Sequence, residues 1–240
     1  MNTRPLLYGV KNSGLMDQIT LIEDQPAIIG EMLLKGSIDI GLIPVALIPQ
    51  MQEFHIITDY CIGTEGEVAS VALFSEVPIE EVDTVLLDYQ SRTSVNLAKI
   101  LLKEYWGKSV TLVPGGLDFR NEIKGKTAGI VIGDRALEQR NISPFTYDLG
   151  SAWKALTGLP FVFAAWVSNK PIDPDFIDAF NRANAYGVNH LAEVLKAVQF
   201  DGYDLRQYYS TNLSYQLSDN KRRGLALFLK KLQQYNISVF

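Results

Sequence analysis

Two apolar runs constrain this chain more than any other feature. Val68 to Phe74 is small and apolar, interrupted only by Ser70, and Leu159 to Val167 is the longest apolar run, carrying Phe161, Val162, Phe163 and Trp166. Each reads as a buried strand, because a continuous apolar run of this length between turn signals suits a strand covered on both faces. Around them, short apolar runs alternate with helix-period stretches, which predicts an α/β architecture with largely parallel sheets. A chain that leaves a first lobe, builds a second and returns to the first has this layout. The expectation is two lobes joined by two crossings, with residues 1–74 and 165–240 forming lobe one and 75–164 lobe two. A cleft between such lobes is a natural small-molecule site.

Within lobe two, Thr84 to Leu101 is the richest stretch. Val85, Leu86 and Leu87 end at Asp88, the hydroxyl-rich Ser91-Arg92-Thr93-Ser94 follows, and Val95, Leu97, Ala98 and Leu101 then recur at helical spacing. A strand leading through a turn into a helix leaves free N–H groups and a favourable dipole at the helix start. The Arg92 guanidinium adds a positive fork suited to a carboxylate. This turn reads as the grip for a small acidic molecule. Ordinary capping is the competing reading, since Ser and Thr favour helix starts for structural reasons alone.

The other segments fill in the layout. Residues 2–9 are too polar to begin a core strand and read as a loop, whereas Asp24 to Lys35 reads as a helix and Ser37 to Pro44 as a strand. Phe54 to Ile57, Tyr60 to Ile62, Val110 to Val113 and Thr127 to Ile132 read as strands, with a short helix from Ala136 and another over Ser151 to Leu156. From Pro174 onward the pattern is mainly helical, and the last helix, with Leu225, Leu227, Phe228, Leu229 and Leu232, reads as core or a dimer contact.

Composition excludes several classes. In 240 residues, 47% hydrophobic content permits a large core, and a net charge of −5 without any basic run argues against a nucleic-acid surface. No apolar run approaches the roughly 20 residues needed to span a bilayer, so no membrane partner is expected. Polar residues follow Met1 where a signal peptide would place basic and apolar ones, which makes the cytoplasm the expected location. Cys61 is the only cysteine, so the chain forms no internal disulfide. There is no metal-ligand cluster, phosphate-binding glycine loop or Ser-His-Asp order.

Several segments in order resemble the chorismate dehydratases of the futalosine route to menaquinone. They are Asn2 to Leu6, Asp39 to Pro44, Val68 to Ser75, Asp88 through Ser94, Ile132 to Leu137, Tyr147 to Leu149, Trp153 and Thr157 to Ala164. The resemblance implies a type II periplasmic-binding-protein-like fold. It also implies loss of water from chorismate, giving 3-[(1-carboxyvinyl)oxy]benzoate, in a monomer or homodimer without a cofactor. Members of the family carry about a dozen residues ahead of the Asn-Thr element, forming the first strand of lobe one, and here Met1 directly precedes Asn2. A missing strand deprives its neighbours of ladder partners. The C-terminal Ile237 to Phe240 is a candidate to fill that edge.

On that resemblance Asn2 orients the reacting ring or the leaving hydroxyl. Ser91, Arg92, Thr93 and Ser94 take a substrate carboxylate, and Ser70, Asp134 and Asp148 are further candidates for the cleft. Each has a structural alternative. Ser70 reads equally as a buried serine bonded to backbone, Asp134 as a partner of Arg135 or a cap of the next helix, and Asp148 as a cap near Ser151. Trp153 and Phe163 read as core. Two other functions compete: a non-catalytic carboxylate-binding protein of the same fold, and the sister enzyme that forms dihydroxynaphthoate and depends on a histidine. The only histidines, His55 and His190, lie outside the matching segments and read as structural or solvated.

Overall fold

The structure, a computed structural model, describes residues 1–235. The elements run α1 (Arg4–Lys11), α2 (Pro26–Leu34), β1 (Ile40–Pro44), β2 (His55–Thr64), β3 (Val71–Ser75), β4 (Thr84–Leu87), α3 (Thr93–Glu104), β5 (Thr111–Pro114), β6 (Thr127–Ile132) and α4 (Asp134–Gln139). They continue with β7 (Phe145–Asp148), α5 (Leu149–Thr157), β8 (Phe161–Ser168), α6 (Pro174–Asn189), α7 (Leu191–Lys196), α8 (Leu205–Gln207), β9 (Ser214–Gln216) and α9 (Asp219–Gln234). Two mixed α/β lobes result, one on a four-stranded sheet ordered β1-β8-β2-β9 and one on a five-stranded sheet ordered β5-β4-β6-β3-β7.

Strand direction differs from the expectation of largely parallel sheets. Every pairing in the four-stranded sheet is antiparallel. In the other sheet β4 runs parallel to β5 and β6, while β3 is antiparallel to β6 and β7. The crossings are the cause: β8 re-enters lobe one from the other lobe, so its direction is set by where the chain returns and not by a local strand–helix–strand unit. For the same reason the expected boundaries at 74/75 and 164/165 each fall inside a strand, β3 and β8.

The N-terminal residues form a helix where a loop was expected. Pro5 sits in its first turn, where a missing N–H costs nothing, and Leu6 and Val10, four apart, are buried on one face. Gly9 and Gly187 let α1 lie directly on α6. A Cβ on Gly9 would come 1.9 Å from the Ala183 carbonyl, and one on Gly187 would come 1.8 Å from that of Pro5. The two expected strands at 54–57 and 60–62 are one strand, β2, with register shifts against β8. The last helix faces the core through Leu225, Phe228 and Leu232.

Among the described residues, β1 has no ladder partner on its outer side. A trough of about 870 Å³ runs there, walled by residues 37–42 and by residues 18–24, which pair with no strand among the described residues. Among the described residues, ladder partners are thus lacking on both walls. The proposed filler, Ile237 to Phe240, lies outside the described residues. No lysine, arginine or histidine lines the trough, whereas Glu23, Asp24, Asp39 and Asp173 do, so it offers an anion no countercharge.

Candidate functional site

The geometry that could hold an anion gathers where parallel strands β4 and β6 end. Ligands in α/β sheets sit beyond the carboxyl ends of strands because the following helices start there. α3 begins after β4 and α4 begins after β6, and these two strands are neighbours. Asp88, the residue that follows β4, has a fully buried carboxylate. It accepts from Arg135 Nη2 at 2.8 and 2.9 Å, from the Gln90 N–H at 2.9 Å and from the Ile132 N–H at 3.2 Å. The pair staples the two loops together. Arg135 is therefore spent on Asp88, and the expected Asp134–Arg135 pair does not form.

The Ser91–Ser94 turn both caps its helix and keeps donors free. Ser91 Oγ accepts the Ser94 N–H at 3.0 Å, and Thr93 Oγ1 accepts the Ala46 N–H of lobe one at 3.3 Å. Both hydroxyls retain a hydrogen to donate. The N–H groups of Arg92, Thr93 and Val95 have no acceptor among the described residues, and the half-buried Arg92 guanidinium has no carboxylate partner among them. Ser91, Thr93 and Ser94 are buried. The turn thus lies at the junction of the lobes with unspent positive potential.

Asn2 approaches the same ends of β4 and β6. The Met1 ammonium lies 3.3 Å from Asp134 Oδ1 at the start of α4. Gly133, at φ +65°, takes a conformation that favours glycine and sends its N–H to the Ser70 carbonyl at 2.8 Å. Asp134 consequently projects beside Met1, half-exposed, and caps nothing. Ser70 Oγ is fully buried, 2.7 Å from the Tyr208 hydroxyl, and that hydroxyl lies 2.5 Å from Asn2 Oδ1. Ser70 thus contacts a side chain, unlike the backbone-bonded serine of the alternative reading.

Asp148 is taken up by backbone donors at the crossing. Its oxygens accept the N–H groups of Ser151 (2.9 Å), Val68 (3.1 Å) and Ala69 (2.9 Å). Arg140 adds Nη1 to the Ala69 carbonyl and an ion pair with Glu67. Together they hold Ala69 at φ +61°, a strained value for a non-glycine residue. Burial pushes the Asp148 carboxyl above its ordinary value of 3.8, outweighing its N–H donors and Arg140. Trp153 and Phe163 are core, as read from sequence.

Sequence reasoning missed the tyrosines. Tyr208, Tyr209 and Tyr215 are all buried, and they bond Asn2 Oδ1, the Met1 carbonyl (3.0 Å) and the Asn2 carbonyl (2.9 Å) respectively. The available signal was the Tyr208-Tyr209 pair beside a third tyrosine in a stretch without helical period. The histidines stand apart: His55 pairs with Glu53 at 2.8 Å on the surface, and His190 stacks on Tyr186. Among the described residues no group of His, Cys, Asp and Glu is placed to hold a metal, and no helix is long and apolar enough to cross a membrane.

Two α/β lobes joined by two crossings define a two-lobed fold of the periplasmic-binding-protein type. Solved structures agree. A structural-genomics protein from Archaeoglobus fulgidus aligns at TM-score 0.69 and 11% identity over 99% of this chain and 95% of its own. The periplasmic aliphatic sulphonate binding protein of Escherichia coli aligns at 0.59 and 13% over 98% and 85%. The chain itself belongs to the menaquinone biosynthesis family, whose model matches residues 1–234. It is 29% identical to the chorismate dehydratase of Thermus thermophilus, over 96% of this chain and 92% of that protein.

Proposed function

We propose that this chain is a chorismate dehydratase, a hydro-lyase that converts chorismate to 3-[(1-carboxyvinyl)oxy]benzoate and water in the cytoplasm. A ring proton leaves one carbon and hydroxide leaves its neighbour. Together they make the water released, and the electron pair of the broken C–H bond completes the aromatic ring. Aromatisation supplies the drive, so positioning and electrostatics suffice.

The observation that carries this reading is the Arg92 guanidinium, without a carboxylate partner among the described residues, beside N–H groups of α3 that lack an acceptor among them, at a lobe junction in a chain of the menaquinone family. Arg92, Ser91, Thr93 and Ser94 take one carboxylate of chorismate. Asn2 faces the ring and the departing hydroxyl, with Asp134 beside it. Asp148 and Asp88 are held by protein donors, so a carboxylate of the substrate itself is the base that takes the ring proton. Loss of turnover on substituting Asp134, with chorismate still bound, would refute that assignment of the base.

Incubating the protein with chorismate and weighing the products by mass spectrometry tests the function. A product lighter than chorismate by one water is expected. Chorismate bound and released unchanged would instead identify a carboxylate-binding protein of the same fold.

A further inference from the structure

Asn2 stands one residue from the start of the chain, outside any sheet, yet every oxygen it carries is bonded by a buried tyrosine. We propose that Tyr208 is a positioning residue which, together with Ser70, sets the Asn2 amide so that its Nδ2 hydrogens face the substrate. What Asn2 then does rests on the dehydratase reading, whereas how Asn2 is held does not.

The argument is one of hydrogen ownership. The Tyr208 oxygen lies 2.5 Å from Asn2 Oδ1 and 2.7 Å from Ser70 Oγ. A phenol owns one hydrogen and an amide oxygen owns none. The hydrogen on the Asn2 side must therefore come from Tyr208, and the one on the Ser70 side from serine. Donation runs Ser70 to Tyr208 to Asn2. Nδ2 is then turned away from the phenol, with no acceptor among the described residues. Ser70 spends its hydrogen on Tyr208 and offers an incoming ligand lone pairs only.

The opposite setting flips the amide, points Nδ2 at Tyr208 and presents Oδ1 to a substrate with two carboxylates and a departing hydroxide. Like partial charges would then meet in a site of low dielectric, where the penalty is largest. The backbone removes further freedom, since Tyr215 fixes the Asn2 carbonyl and Tyr209 that of Met1. Burial raises all three phenols, Tyr209 to about 12, so they remain donors at neutral pH. A single π-helical turn, Tyr208–Asn212, closed by the Leu213 N–H on the Tyr208 carbonyl at 2.9 Å, lets adjacent tyrosines both reach the N-terminus.

Tyr208→Phe removes one oxygen and keeps the ring packing. Turnover of chorismate should fall about tenfold or more with KM within about threefold, as for a group acting in the transition state. In the Asn2→Ala background the same change should cost nothing further, because Tyr208 acts through Asn2. Effects that multiply would overturn the proposal. Protein labelled with ¹⁵N-asparagine gives a readout independent of activity: the Asn2 NH₂ pair, identified by its loss in Asn2→Ala, should shift and exchange faster in Tyr208→Phe. An unchanged pair would also overturn it. A wild type that never dehydrates chorismate sinks the dehydratase reading alone, and the amide spectrum still decides how Asn2 is held.

Discussion

Thr93 Oγ1 accepts the Ala46 N–H at 3.3 Å, a buried bond between the hydroxyl-rich turn of one lobe and the segment that follows β1 in the other. Thr93→Val keeps the shape and leaves that N–H without a partner. A buried orphan donor costs about 1–3 kcal/mol. Urea unfolding should show a loss in this range, with Thr93→Ser close to wild type.

Arg92 presents the contrasting case. With no carboxylate partner among the described residues, its removal takes nothing from the fold, so Arg92→Ala should shift stability by no more than about 0.5 kcal/mol. The KM for chorismate should rise about tenfold or more, since a charge-assisted bond to a carboxylate is lost. Steady-state kinetics beside a melting curve checks both halves.

Arg135 should behave in the opposite way. Its guanidinium neutralises the fully buried Asp88 carboxylate, and breaking a buried pair from one side costs about 3–5 kcal/mol. Arg135→Met is expected to lose about that much by denaturant titration, and the further change Asp88→Asn should recover part of it. Failure of the second change to help would count against this account of the pair.

Asp148 predicts a pH dependence. Its folded pKa is raised above the ordinary 3.8, so protonation favours the native state. The contribution is fully present below the unfolded value and is lost as pH rises through the higher folded value. Stability of the wild type minus that of Asp148→Asn should decline with rising pH from 3.8 upward. A flat difference would contradict the sign.

The outer side of β1, unpaired among the described residues, gives a fifth test. Amides along Ile40–Pro44 that point into the trough should exchange rapidly with deuterium. A chain extended ahead of Met1 by an alternating apolar segment of about six residues, a usual strand length, should slow that exchange and raise the melting temperature.

Much of this was legible in the chain. The apolar runs at 68–74 and 159–167 marked strands, Thr127–Ile132 was read to the residue, and the hydroxyl-rich turn before α3 was found at the lobe junction. Direction was not legible, because an apolar run fixes which faces are covered but not which way a strand enters a sheet. Residues 2–9 read as a loop because the apolar face of α1 is narrow and its tightest contact, Gly9 on α6, is a glycine.

What the sequence determined by itself was local: which segments are strands or helices, and that a guanidinium and three hydroxyls open α3. Those follow from periodicity and capping, which act over a few residues. Tertiary structure alone decided who partners whom. Arg135 goes to Asp88 and not to Asp134, Asp148 goes to the crossing, and tyrosines some two hundred residues away hold Asn2. Such pairings depend on distances that only the closed fold creates, and on burial that leaves each polar atom obliged to find a partner.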